Sequence, residues 1–230
     1  MFCDFFAFMT GMKRILFITG TDTNIGKTTF AVQLLKTLRR DGVNAAGLKP
    51  VSSGGRNDAR KILAAMEGKL SLDEINPWHF PVAVAPTLAA RSVGKKVKLA
   101  QVATRIRAMQ KKFDVLVVEG AGGLLSPLGE GFNSRSLILE LNATPVIVCL
   151  NRLGVVNHIL LTLEALPKSI RAKARVVLIT PHKPDAATKS NASLLVEFFD
   201  AKRILISDAH GIKPYGLTTE TTKPSGLRYF

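Results

Sequence analysis

The stretch ILFITGTDTNIGKTT, residues 15–29, decides the fold. Its first five residues, Ile15 to Thr19, form an unbroken apolar and β-branched run, as a strand buried on both faces should. Gly20 follows, then Gly26-Lys27-Thr28. From Phe30 to Arg40 apolar residues recur at helical spacing, until Asp41-Gly42 stops them. Strand, glycine-rich turn and helix in that order make a phosphate-binding loop. The glycines permit the tight turn and close backbone approach, and the loop N–H groups and helix N-terminus face an anion. Thr23, Asn24, Ile25, Gly26, Lys27, Thr28 and Thr29 are the candidate nucleotide-binding residues. Lys27 is placed to reach the β and γ phosphates, and the Thr28 hydroxyl to ligate Mg²⁺. Five residues, not the usual four, separate Gly20 from Gly26. A Gly-Lys-Thr triplet alone would be an ordinary glycine-rich turn; the flanking strand and helix argue for more.

Working outward, short apolar runs recur at Ala45–Leu48, Val115–Val118, Pro145–Leu150, Val176–Thr180 and Ile204–Ser207. Helical patterns at Asp58–Glu67 and Leu99–Lys111 fall between them. Strand alternating with helix predicts an α/β fold, a mostly parallel sheet covered by helices on both faces. In such sheets ligands bind at the carboxyl ends of the strands. The chain of 230 residues, 47% of them apolar, suits one such domain over residues 13–207. The apolar start MFCDFFAFMTG lacks a basic flank and a small-residue cleavage site, and reads as a frayed extension or a start assigned before Met12. The tail from Asp208, rich in Gly, Thr, Lys and Pro, is expected to be loose or disordered.

No apolar run reaches the roughly 18 residues of a membrane span. Two cysteines, Cys3 and Cys149, offer neither a disulfide framework nor zinc spacing, so a cytoplasmic, reducing setting is expected. The net charge of +15 attracts polyanions in general. The cations are scattered, however, with no arginine-rich arm or aromatic-interleaved stripe, so neither nucleic acid nor membrane is an expected partner.

A phosphoryl-transfer site also needs a carboxylate for the metal and cations for the moving charge. Val115-Leu-Val-Val-Glu119 ends a strand on an acid and runs into a turn containing Gly120 and Gly122. Glu119 is there a candidate Mg²⁺ ligand, and the glycines would let a nucleotide approach the backbone. Lys49 stands at another strand end; alone it would read as a surface lysine. Asp58 is a second metal candidate that could equally be a helix N-cap.

Together the segments GTDTNIGKTT, GLKPVSSG with Asn57-Asp58-Ala59, VVEGAGGLLSPL and NRLGVVNHILLT resemble the dethiobiotin synthetases. They keep that family's order and spacing from Lys13 to about Leu163. The resemblance implies an ATP- and Mg²⁺-dependent enzyme of biotin biosynthesis. One amine of 7,8-diaminopelargonate takes up CO₂ as a carbamate, ATP phosphorylates it, and the second amine closes the cyclic urea. It further implies Lys27 and Lys49 as catalytic cations and Thr28, Asp58 and Glu119 as metal ligands. Thr23, Lys49 and Ser53 would contact the diamine and carbamate. Gly154, Val155, Val156 and Asn157 match a helix start that receives the substrate carboxylate from the partner subunit, hence a homodimer with shared sites.

The chain departs from the family pattern at Asn24, often acidic, and at Thr87, where a histidine is common. It departs most after Val176, where Thr180-Pro181-His182 replaces an Asn-Asp pair whose asparagine reads adenine. Weak discrimination among nucleotide bases is therefore expected. Other readings fit less well. A cobyrinic acid amide synthase relative would need a glutamine-hydrolysing domain for which no room remains. Partition and cell-division ATPases carry an extra lysine early in the loop, absent from Thr21 to Asn24. A nucleotide-binding paralogue without turnover is allowed by the altered base region but opposed by the retained lysines and carboxylates.

Overall fold

The computed structural model describes residues 14–216. In chain order the elements are β1 (Arg14–Gly20), α1 (Lys27–Arg40), β2 (Ala45–Leu48), β3 (Val51–Ser53), α2 (Asn57–Met66), α3 (Leu72–Ile75), β4 (Trp78–Phe80), α4 (Pro86–Ser92), α5 (Leu99–Gln110) and β5 (Val115–Glu119). There follow β6 (Pro127–Gly129), β7 (Phe132–Asn133), α6 (Ser134–Glu140), β8 (Thr144–Leu150), α7 (Val155–Glu164), α8 (Lys168–Arg171), β9 (Arg175–Ile179), α9 (Ala186–Leu195), β10 (Ile204–Asp208) and β11 (Gly211–Pro214).

Seven strands make one sheet in the order β11-β10-β9-β8-β1-β5-β2. Every neighbouring pair is parallel except β10 with β11. The continuous apolar runs are the reason: Ile15–Ile18, Val115–Val118, Val146–Cys149 and Val176–Leu178 are all at 4% exposure or less, as strands covered on both faces require. The α/β expectation is thus met. The chain leaves β1 toward β2 and β5 on one side and continues to β8, β9 and β10 on the other, so the reversal of direction lies at β1. A crevice opens at such a point, above the carboxyl ends of the strands.

Helix α1 begins at Lys27, three residues before the apolar periodicity shows, because its first turn is polar and faces the crevice. Helix α2 lies so close on β2 that a Cβ at Gly47 would meet Ile62 Cγ2 at 2.6 Å. Glycine at that position lets the helix sit low, and its start lies beside the end of β2, where Asp58 meets Lys49.

The expectation of a loose tail from Asp208 needs correcting. Gly211–Pro214 pairs antiparallel with β10, and Ile212 is buried at 3% exposure. One apolar residue closing a sheet edge leaves little periodicity to read. The extension at residues 1–12 and the tail beyond residue 216 lie outside the described residues. No helix among the described residues is long and apolar enough to cross a membrane.

Candidate active site

Sheet order assembles the site. Strand β5 lies between β1 and β2, with Ile18 opposite Glu119 and Leu48 opposite Val118. Glu119, the last residue of β5, is therefore flanked by the loop leaving β1 and by Lys49 leaving β2. Its carboxylate is 1% exposed. The Thr28 hydroxyl donates to Glu119 Oε1 at 2.8 Å, and Lys49 Nζ donates to the same oxygen at 2.6 Å. Lys49 also pairs with Asp58 Oδ2 at 3.1 Å, and Asp58 bonds with Thr28. Thr28, Lys49, Asp58 and Glu119, drawn from four segments, thus form one hydrogen-bonded cluster.

The charges hold one another. Burial opposes the Lys49 ammonium, but Glu119 and then Asp58 keep its pKa above the ordinary lysine value. Burial likewise opposes ionisation of Asp58, and Lys49 beside it brings its carboxyl below the usual range. Asn76, 1% exposed, fixes the Lys49 backbone. It donates to Lys49 O at 2.7 Å and accepts from the Ser52 hydroxyl at 3.1 Å. No sequence signal marked that asparagine.

Lys27 lies at the start of α1 behind Gly26, whose φ of 95° belongs to the left-handed region. A side chain there would be strained and would press on Ile179 Cγ1, 3.2 Å from its Cβ. Lys27 Nζ donates to Asp22 O at 2.5 Å. Burial, with Lys49 adding to it, lowers the Lys27 pKa to about 8, against attraction from Glu119. The lysine stays mostly protonated at neutrality, reaches its midpoint at about pH 8, and gains from a fixed anion. Asn24, at φ 54°, takes a left-handed loop position that asparagine tolerates better than most residues.

The cluster floors a cleft of about 810 Å³. Thr23, Asn24, Gly26, Lys27, Thr28, Thr29, Lys49, Ser53, Asp58, Glu119 and Gly122 line it. Ile25 does not: its side chain is 6% exposed and packs in the core, leaving only its backbone for a ligand. The Gly120 N–H is already bonded to Ile18 O at 2.9 Å. Ser53 donates its hydroxyl to Val84 O at 2.5 Å. Gly154, Val155, Val156 and Asn157 are absent from the cleft lining of this chain. They open α7, a ten-residue helix whose N-terminus has no side-chain cap. Thr180 lies elsewhere too, its N–H bonded to Ser207 O at 2.8 Å at the ends of β9 and β10. Reading the sequence missed Lys61, Ala83 to Pro86 and Ser126 as lining residues. Lys61 stands three residues after Asp58 on one helix, a spacing that puts both on one face.

A divalent cation suits the cluster. Glu119 Oε1 takes two donors, whereas buried Oε2 has none. An orphaned buried carboxylate oxygen calls for a partner. Among the described residues no group of three His, Cys, Asp or Glu side chains stands together. Two carboxylates and a hydroxyl are a sparse all-oxygen set, of the kind Mg²⁺ takes when water and phosphates complete it.

Fold and cleft define an α/β nucleotide-binding protein of the P-loop class. A family model described as an AAA domain matches residues 14–208. The ATP-dependent dethiobiotin synthetase BioD of Akkermansia muciniphila is 37% identical over 189 residues, covering 82% of this chain and 89% of that protein. The chain belongs to the dethiobiotin synthetase family. The protein of the same name from Anaeromyxobacter dehalogenans strain 2CP-C is 40% identical over 169 residues, covering 72% of this chain and 76% of its own. Among solved structures, the cell division protein FtsY of Thermotoga maritima overlaps 90% of this chain with a TM-score of 0.53 at 13% identity. The signal recognition particle receptor FtsY of Elizabethkingia anophelis overlaps 86% with a TM-score of 0.51 at 12% identity. This chain spans only 66% and 59% of those two proteins, and the likeness is one of fold alone.

Proposed function

We propose that the protein is an ATP- and Mg²⁺-dependent cyclo-ligase that carboxylates 7,8-diaminopelargonate with CO₂ and closes the ring to dethiobiotin. The observation that carries this reading is the convergence of Thr28, Lys49, Asp58 and Glu119 beside Lys27 in one cleft. ATP is the co-substrate, its phosphates received by the loop from Thr23 to Thr29. Thr28, Asp58 and Glu119 would hold Mg²⁺, which neutralises phosphate charge when bound.

The chain's own residues account for the rest. Negative charge builds around the carbamate and the γ phosphate as the phosphoryl group moves, and fixed cations there stabilise the transition state. Lys27 and Lys49 are those cations. Burial strengthens their effect, since screening by water is weak in the cleft. Thr23 and Ser53 lie on the cleft wall and would position the diamine and carbamate. When the second amine attacks the carbamate carbon, the phosphate leaves as an anion into the same field of cations.

The substrate carboxylate would rest on the uncapped start of α7 from a second copy, where helix N–H groups suit an anion. Leu153 just before that start, 83% exposed, and Leu161 further along the helix, 62% exposed, offer apolar surface for a homodimer to cover. Cys149 is a buried free thiol whose pKa burial pushes up, which fits a reducing, cytoplasmic setting and no redox role.

The test is to supply diaminopelargonate, bicarbonate, Mg²⁺ and ATP and to watch for dethiobiotin and phosphate. Lys27→Ala should lower the rate about 10²-fold or more, as for other removed transition-state donors. Near-normal turnover in that variant would refute the role given to Lys27, and absence of dethiobiotin from the wild type would refute the reaction.

A further inference from the structure

The ionisable side chains lining the cleft are Lys27, Lys49, Lys61, Asp58 and Glu119. Three cations face two carboxylates. Lys49 is bound to both acids, at 2.6 and 3.1 Å. Lys27 is turned onto the Asp22 carbonyl. Lys61 is exposed and has no hydrogen bond or ion-pair contact among the described residues. It stands on α2 with Asp58, near enough to act on that carboxylate through space. Without Lys61 the lining charges cancel.

We infer that Lys61 gives the ligand-free cleft its net positive charge and draws the nucleotide's polyphosphate into it, a role distinct from the buried lysines that act during phosphoryl transfer. The inference rests on the ATP-binding part of the function proposed above. A cleft of net positive charge with low-dielectric walls raises the association rate of an opposite charge, an effect that salt weakens. The chain's general charge of +15 is scattered and does not by itself point at the cleft. An exposed ammonium is free to swing onto the incoming phosphates, whereas Lys49 must first leave its carboxylates.

The experiment is stopped-flow binding of a fluorescent methylanthraniloyl ATP with Mg²⁺, without diamine or CO₂. Lys61→Ala should slow association and weaken Kd by roughly fivefold at about 0.02 M salt, and by much less at about 0.3 M. Lys61→Arg should restore both. Lys69→Ala removes the same charge from a residue lining a separate hollow beside Arg39 and Arg40, and should bind as the wild type does. In turnover the Lys61→Ala loss should fall on KM for ATP more than on kcat. Unchanged association in Lys61→Ala would overturn the inference. So would an equal slowing by Lys69→Ala, which would assign steering to the chain's overall charge, or a salt-independent defect that arginine does not rescue. A wild type that binds the nucleotide without making dethiobiotin would refute the reaction and leave this inference standing.

Discussion

Replacing Lys49 with methionine, of similar length and without charge, should destabilise the protein markedly. Lys49 Nζ lies 2.6 Å from Glu119 Oε1, and the two side chains are 7% and 1% exposed. Removing one partner of a buried pair leaves the other charge without compensation, at about 3–5 kcal/mol. Glu119 keeps the Thr28 hydroxyl at 2.8 Å, which puts the loss at the lower end of that range, about 3 kcal/mol. The second partner, Asp58, is 46% exposed and can turn to water, so its share is below about 1 kcal/mol. For a domain of this size the melting temperature should fall by roughly 6–12 °C. The assay is urea and thermal unfolding of Lys49→Met, Glu119→Gln and the double variant. With both charges gone no ion is stranded, so the double variant should lose at least about 1 kcal/mol less than the sum of the single losses. Strictly additive losses, or a Lys49→Met loss below about 1 kcal/mol, would refute the picture of a buried, mutually dependent pair.

Three further outcomes are expected. Lys27 has a folded-state pKa of about 8 against 10.5 as its ordinary value, so between those pH values the unfolded chain binds the extra proton and this group's contribution to stability rises with pH. Urea titrations across that window should show a shallower rise for Lys27→Met than for the wild type, and ATP affinity should fall as pH climbs through about 8; equal slopes would contradict the shift. Gly26→Ala, at φ 95° and facing Ile179, should cost about 1–3 kcal/mol in thermal melts and weaken nucleotide binding, whereas a wild-type melt would show that the loop tolerates a Cβ. With Thr180 in place of an amide, turnover with ATP, CTP and GTP should be comparable, and strict dependence on ATP in a phosphate-release assay would rule that out.

Much of the fold was legible because its signals are local. The run from Ile15 to Gly26 carries strand, turn and helix start within a dozen residues, and the Val- and Ile-rich segments announce a parallel sheet. Element ends were less legible. Arg14, Thr144 and Arg175 extend strands although none is apolar, since ladder hydrogen bonds depend on the neighbouring strand and not on side-chain hydropathy. Strand β11 was missed for the same reason: Gly211-Ile-Lys-Pro becomes a strand because β10 offers an edge. Ile25 keeps its place in the phosphate loop through its backbone, while its side chain goes to the core, because an apolar residue in a polar loop gains more from burial than from facing phosphates.

The sequence by itself determined the phosphate loop, the alternation of strand and helix and the candidate lysines and carboxylates, all of which rest on spacings of a few residues. Only the tertiary structure decided which of them meet. Glu119 reaches Thr28 across 91 positions and Lys49 across 70 because β5 inserts between β1 and β2, an order set by packing of whole strands. The same packing leaves Lys61 on the cleft lining with no acceptor among the described residues, and leaves the start of α7 out of that lining.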